Sequence, residues 1–188
     1  MIQDARKEEY RSSNPVFFDT NIWLTLFAPP SKEDDFWKNE YSKVFSLVHQ
    51  NNVPIILDSI IVGEYINKYC RIEIDAYFGD NESAKKISLK DFRENHFDIY
   101  QPIIHSVIES INEIFSLPQI EIINYSFNTF DIENGLDLLK NKKVDWNDIL
   151  IIDNCQKNSY SLITNDADFL NADIKILTCN PKLLNNKS

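Results

Sequence analysis

Four acidic residues of this chain stand where an apolar stretch meets a turn or a helix. They are Asp19, Glu64, Asp148 and Asp166. Asp19 directly follows the apolar run at 16–18, and Asp166 follows a second run at 160–163 through Thr164 and Asn165. In an open parallel sheet, ligands bind at the carboxyl ends of the strands. Because hard cations prefer oxygen ligands, four acids at such positions could together hold a divalent cation.

Three of these acids also have ordinary structural explanations. Asp19 could cap the helix that follows it, Asp148 could favour the positive end of a helix dipole, and Asp166 could belong to a turn. Glu64 differs, because it lies one turn into a helical segment whose preceding residues, 60–62, are apolar. A carboxylate beside such a stripe needs a partner, since an unpaired buried charge is costly.

The elements that would position these acids alternate along the chain. Short apolar runs typical of buried strands occur at 16–18, 54–57, 120–123, 160–163 and 174–177. Segments with apolar residues at three- and four-residue spacing separate them, which predicts helices. Strands that alternate with helices indicate an α/β fold, an open parallel sheet of about five strands with helices on both faces.

The domain organisation predicted from the sequence is simple. Residues 1–15 are polar and charged, so we expect a flexible N-terminal arm. Residues 16–188 are long enough for a single domain with a sizeable core. Glu64 and Asp148 are widely separated, and the polar stretch after residue 79 leads into a further helical pattern, so we expect an added helical element around 80–116.

Composition restricts the classes of function. With 19 basic and 29 acidic residues the net charge is −10, which is unlike the basic surface of most nucleic-acid-binding proteins. A local basic strip can still steer a polyanion. Three separated cysteines predict buried thiols in a reducing, cytoplasmic setting rather than a disulfide framework or a zinc site. No segment has the roughly 18 apolar residues of a membrane span, so we expect no membrane association.

Four segments taken together resemble the signature of the PIN-domain nucleases. They are Val16-Phe17-Phe18-Asp19-Thr20-Asn21, Ser59 to Glu64, Asp148, and Leu162-Ile163-Thr164-Asn165-Asp166-Ala167-Asp168-Phe169. The resemblance extends from Val16 to about Leu184 and keeps the order of the motifs. It implies a PIN-like three-layer fold and a metal-dependent endoribonuclease that hydrolyses single-stranded RNA, leaving 5′-phosphate and 3′-hydroxyl ends.

The resemblance also implies roles for individual residues. Asp19, Glu64, Asp148 and Asp166 would hold Mg²⁺ or Mn²⁺, with Asp168 as a possible fifth ligand. Thr20, Asn21 and Thr164 would support these carboxylates through hydrogen bonds. Lys68 and Arg71, further along the helix of Glu64, could contact RNA phosphates or could simply be a solvated helix surface. An antitoxin partner and a homodimer are further expectations from the family.

Two other functions remain open from the sequence. A phosphatase of the haloacid-dehalogenase type also has Asp after its first strand, but its chemistry needs a second Asp two positions later, where this chain has Asn21. A catalytically inactive PIN-like binding module would keep the sheet and lose the activity. The strong negative charge is compatible with that alternative.

Overall fold

The central sheet is parallel throughout. A computed structural model of the chain describes residues 1–29, 35–79, 87–124, 129–141 and 144–185. In these residues the strands form one sheet in the order β1-β6-β5-β2-β3-β4. The strands are β1 Ile2–Asp4, β2 Val16–Phe18, β3 Ile55–Leu57, β4 Ile120–Ile122, β5 Ser161–Ile163 and β6 Lys175–Thr178. Five of them are the strands expected from the sequence, and β1 is an addition.

The helices complete a three-layer α/β fold, as the sequence predicted. In the described ranges they are α1 Thr20–Phe27, α2 Asp35–Gln50, α3 Ser59–Phe78, α4 Leu89–Asn95, α5 Phe97–Ser116, α6 Thr129–Asn141, α7 Trp146–Asn158 and α8 Pro181–Asn185. On α5 the buried residues Ile103, Val107, Ser110 and Ile114 recur every three or four positions, which is the inward stripe of an amphipathic helix. None of the described helices is long and apolar enough to cross a membrane.

The core is centred on the two middle strands. Phe17 and Phe18 of β2 and Leu162 and Ile163 of β5 have no solvent exposure. A parallel strand covered on both faces is apolar at every position, which explains why these runs are continuous rather than alternating. All three cysteines are free and buried, as expected from their spacing.

The N-terminal residues are part of the fold, and the expectation of a flexible arm over residues 1–15 is wrong. Strand β1 pairs with β6, with Ile2 opposite Ile176. Tyr10 is buried and its hydroxyl donates to the backbone carbonyl of Ala5 at 2.9 Å. Glu8 accepts a hydrogen bond from Lys175 at 2.6 Å. The charged residues that suggested an arm instead have partners distant in sequence, which local composition does not reveal.

The helical element expected around 80–116 includes α4 and α5, while residues 80–86 lie outside the described part of the chain. The ring of Phe92 on α4 is fully buried and stacks on His96, with centroids 5.2 Å apart. Helix α5 is joined to α3 by a hydrogen bond between the Tyr65 and Ser110 hydroxyls. The helix that carries Glu64 is therefore supported by this element.

The Tyr10→Phe substitution tests whether the N-terminal residues stabilise the domain. It removes one buried hydrogen bond and keeps the ring, so the free energy of unfolding should fall by about 0.5–1.5 kcal/mol. Urea denaturation measures the change. Tyr77→Phe, at an exposed position, is the matched control and should stay within about 0.5 kcal/mol of the wild type. Equal stability of the two variants would contradict a structural role for this segment.

Candidate active site

Two neighbouring strands bring the first and last acidic segments together. In the register of β2 and β5, Phe18 is opposite Ile163, so the residues that follow both strands meet at the same edge of the sheet. The Thr164 hydroxyl donates to Asp19 Oδ2 at 2.6 Å and accepts from the backbone N–H of Asp166 at 2.9 Å. One threonine thus connects two acids from opposite ends of the domain.

Asn21 and Thr20 each make a hydrogen bond to one of the predicted acids. Asn21 Nδ2 donates to Asp19 Oδ2 at 2.5 Å, while its Oδ1 accepts from the backbone N–H of Asn165 at 3.2 Å. The Thr20 hydroxyl donates to Glu64 Oε2 at 2.9 Å. Asp19 occupies the N-cap position of α1 but makes no side-chain capping bond. Its carboxylate is therefore directed to the site, and the capping explanation does not hold.

Burial is the main cause of the raised pKa of Asp19. The residue is only 5% exposed, and burial raises its pKa to about 6. The hydrogen bond from Thr164 acts in the opposite direction, and the negative charge of Glu64 raises the pKa further, as does that of Asp166. The hydrogen bonds of Thr164 to Asp19 and to the backbone of Asp166, and of Thr20 to Glu64, bring these three acidic segments to the same edge of the sheet.

Asp148 joins this group from the start of α7. Its backbone N–H donates to Asp145 Oδ1 at 2.9 Å, and its own Oδ2 accepts from the Asp145 N–H at 3.3 Å, which forms a capping box. Burial raises the pKa of Asp148 to about 7, and the charges of Asp145, Asp19 and Asp166 raise it further, against the hydrogen bond from Asp145. Asp145 therefore caps α7 and Asp148 completes the capping box, at a position where the charges of Asp19 and Asp166 act on its carboxylate.

Glu64 is already paired with a cation. It is half-buried on α3, and its Oε1 lies 2.5 Å from Lys68 Nζ. Burial lowers the pKa of Lys68, but the hydrogen bond and charge of Glu64, together with the charges of Asp19 and Asp166, outweigh it and hold that pKa above its usual value. Lys68 thus lies beside the acidic cluster, which we define as Asp19, Glu64, Asp148 and Asp166.

The two remaining predicted residues, Asp168 and Arg71, make different contacts. Asp168 is exposed, and its backbone N–H donates to Asp166 Oδ1 at 2.9 Å. Its side chain lines a cavity of about 530 Å³ together with residues of α6 and α7. Arg71 Nη1 donates to the backbone carbonyl of Ile87 at 2.7 Å, so it connects α3 to the start of the added helical element.

The donor set of the acidic cluster fits a hard divalent cation. Burial and the neighbouring negative charges both disfavour the ionised form of the Asp19 carboxylate. A bound cation would offset both effects. Among the described residues, no three acidic, imidazole or thiol groups are close enough to form a ready-made ligand cluster.

Three buried residues that position the site were not identified from the sequence. Asp58 caps α3, accepting from the backbone N–H groups of Ile60 and Ile61 at 3.0 Å each, while the adjacent Ser59 is the first residue of the helix. Its other oxygen accepts from Asn154 of α7 at 3.2 Å, so the helices of Glu64 and Asp148 are joined. Asp58 follows strand β3 as Asp19 follows β2, and that signal was present in the sequence.

The third of these residues, Tyr41, supports the turn that carries Asp166. Tyr41 lies on α2. Its hydroxyl is within hydrogen-bond distance of the Thr164 carbonyl at 3.1 Å and of Asn165 Oδ1 at 3.2 Å. It also accepts from the backbone N–H of Cys179 at 3.2 Å. Helix α2 is thereby bound to the ends of β5 and β6. The sequence showed Tyr41 only as one of several apolar-face aromatic residues.

The fold and the site together define a class of protein: a parallel α/β domain with carboxylates at the strand ends. The PIN domain model matches residues 16–175, and the chain therefore belongs to the PIN domain family, whose members are generally nucleases. A solved chain in the VapBC2 structure from Rickettsia felis, bound to a DNA fragment from their promoter, is 19% identical with a TM-score of 0.49, covering 87% of this chain and 97% of that chain. No curated protein sequence matches.

The raised pKa values predict an unusual dependence of stability on pH in the absence of metal. Asp19 and Asp148 bind protons more tightly in the folded protein than in the unfolded chain, so their effect stabilises the fold at low pH and is lost as the pH rises through about 6 to 7. In EDTA, Asp148→Asn should therefore be more stable than the wild type at about pH 8, and the difference should shrink towards about pH 5. Asp98→Asn, at an exposed position, controls for the loss of one charge. A constant difference across the pH range would contradict the assignment.

The Asp58→Ala substitution tests the connection between the two helices. It removes two capping hydrogen bonds and leaves the Asn154 amide without its partner, so the free energy of unfolding should fall by about 2–4 kcal/mol. Ser59→Ala at the adjacent exposed position is the control. If Ser59→Ala were the more destabilising substitution in chemical denaturation, Ser59 rather than Asp58 would be the functional cap.

Proposed function

We propose that this chain is a metal-dependent endoribonuclease that hydrolyses phosphodiester bonds of single-stranded RNA. The observation that carries the proposal is the grouping of acids from separate segments, in which Thr164 binds Asp19 and the backbone of Asp166 while Thr20 binds Glu64. The raised pKa of Asp19 and that of Asp148 are consistent with this grouping. Such a cluster is costly to maintain unless a cation neutralises it. Membership of the PIN family, whose nucleases generally use divalent ions, supports the same reading.

In this proposal the acidic cluster holds Mg²⁺ or Mn²⁺, with Asp168 as an additional ligand. A bound ion would lower the pKa of a coordinated water and neutralise charge on the phosphate. Thr164 and Asn21 fix the orientation of Asp19, and Thr20 fixes that of Glu64. Their hydrogen bonds keep the carboxylate oxygens in one arrangement.

The reaction is an ordinary hydrolysis. A water oxygen forms a bond to phosphorus, the bond from phosphorus to the 3′ oxygen breaks, and a proton is taken up by that oxygen. The products are a 5′-phosphate and a 3′-hydroxyl. No His or Cys nucleophile is needed. Lys68 and Arg71 are the proposed phosphate contacts, although Arg71 would have to combine that role with its hydrogen bond to Ile87.

The biological setting remains a prediction from the family. A toxin restrained by an antitoxin protein, a homodimer and a cytoplasmic location all fit the proposal. The inactive binding module is the second candidate, and the net charge of −10 favours it because a polyanion would be repelled over most of the surface. Activity measurements separate the two candidates.

Cleavage of a labelled single-stranded RNA in Mn²⁺ tests the proposal. Asp19→Asn and Asp148→Asn should each lower the rate at least about a hundredfold, because each removes a ligand charge, while Thr164→Val should cost about 10–100-fold by releasing Asp19. Asp98→Asn is the matched surface control and should cleave at the wild-type rate. EDTA should abolish cleavage, and added Mn²⁺ should restore it.

The results of the cleavage assay distinguish the nuclease from the inactive binding module. Analysis of the product ends distinguishes a 5′-phosphate from a cyclic phosphate. If folded wild-type protein cuts neither RNA nor DNA with Mg²⁺ or Mn²⁺, the nuclease proposal fails and the binding module is favoured. If Asp19→Asn cuts as fast as the wild type, the site assignment fails.

A further inference from the structure

Among the residues that the structure describes, Lys68 places a positive charge beside the acidic cluster. Lys68 Nζ is 2.5 Å from Glu64 Oε1, and its charge is close enough to lower the pKa of Asp19. The lysine side chain is 50% exposed, whereas that of Glu64 is 17% exposed. The ammonium group therefore reaches a partly buried acid from the solvent side and can leave again by rotation of its flexible stem.

The ion pair of Lys43 and Glu40 provides a comparison for that of Lys68 and Glu64. Lys43 Nζ lies 2.5 Å from Glu40 Oε1 on α2. The side chains of Lys43 and Glu40 are 64% and 12% exposed, which is similar to the exposure of Lys68 and Glu64. Glu40 is also bound by Arg6 at 2.6 Å, so two cations share one acid. In the acidic cluster the ratio is reversed, because Lys68 is acted on by Glu64, Asp19 and Asp166. There the acids exceed the cations.

We infer that Lys68 is an internal counter-cation that competes with the metal ion for Glu64. The inference rests on the proposed function, because it concerns ions bound at the same carboxylates. An ammonium group and a divalent cation repel each other and cannot both occupy one carboxylate oxygen at short range. A metal ion that binds Glu64 Oε1 would therefore displace Lys68 from that oxygen. The metal affinity of the site is the affinity of the acids reduced by the cost of that exchange.

The exchange also links the metal to the substrate. Once displaced, the ammonium remains attached to α3 one turn from Glu64, at the edge of the cluster, where it can contact a phosphate of the RNA. The same charge that stabilises the metal-free site thus becomes available for a polyanion only after metal has bound. Lys68 would thus help to position the substrate. Its ammonium group could do so only when it is not paired with Glu64.

Calorimetric titration of full-length protein with Mn²⁺ alone, without RNA, tests the inference. Lys68→Met should bind Mn²⁺ at least about threefold more tightly than the wild type, as expected when a partly exposed ion pair no longer competes. Lys43→Met is the matched control and should bind as the wild type does. Lys68→Arg retains a cation and should stay closer to the wild type than Lys68→Met. Metal-free melting in EDTA should show Lys68→Met to be less stable near neutral pH.

A second measurement uses a non-cleavable RNA analogue in the presence of Mn²⁺. Lys68→Met should bind it more weakly than the wild type, so the two affinities change in opposite directions. Unchanged or weaker Mn²⁺ binding by Lys68→Met, with wild-type binding intact, overturns the inference and leaves the nuclease proposal standing. Failure of the wild type to bind Mn²⁺ at all overturns both. Lys68→Gln provides a second variant, and circular dichroism confirms that each variant is folded.

Discussion

The structure depends on keeping several negative charges together at one edge of a parallel sheet. Asp19 is almost entirely removed from water, and a buried carboxylate is tolerated only with hydrogen-bond donors or a cation beside it. Thr164 and Asn21 donate to it, and Lys68 supplies a nearby positive charge. The donors reduce the cost of burial without removing it, which is why the pKa remains high. This residual cost is the free energy that a bound cation would recover.

The rest of the fold holds the acids in place against their repulsion. Parallel register brings Asp19 beside Thr164, and the helices α3 and α7 are joined through Asp58 and Asn154. Tyr41 binds the turn after β5 to α2. Each of these connections joins segments far apart in sequence and is buried. A site built from four segments is therefore as rigid as the core on which it stands, and loss of one connection would allow the charges to separate.

Local sequence patterns predicted strands and the acids that follow them, but they did not predict contacts between segments far apart in the chain. Strand β2 followed by Asp19 could be recognised because an apolar run ending in an acid is a local pattern, and the ordered set of such patterns indicated the family. Strand β1 was missed because a single Ile2 among charged residues has no periodicity, and its pairing with β6 is a contact across the whole chain. Asp58 carried the same strand-end signal as Asp19, but the adjacent Ser59 offered an equally good cap. Local chemistry alone could not choose between them.

The acidity of the chain bears directly on how a polyanion could approach it. With a net charge of −10, the metal-free protein repels RNA over most of its surface, and the acidic cluster adds to that repulsion at the site itself. In the proposed exchange, a divalent ion would raise the charge of the site by two, while displacement of Lys68 from Glu64 would leave the total charge unchanged. The displacement would instead move an ammonium group that is paired in the metal-free protein to a position where a phosphate could contact it. Under the proposed function, an acidic nuclease could therefore restrict RNA binding to its metal-loaded state through the lysine that neutralises Glu64 in the metal-free protein.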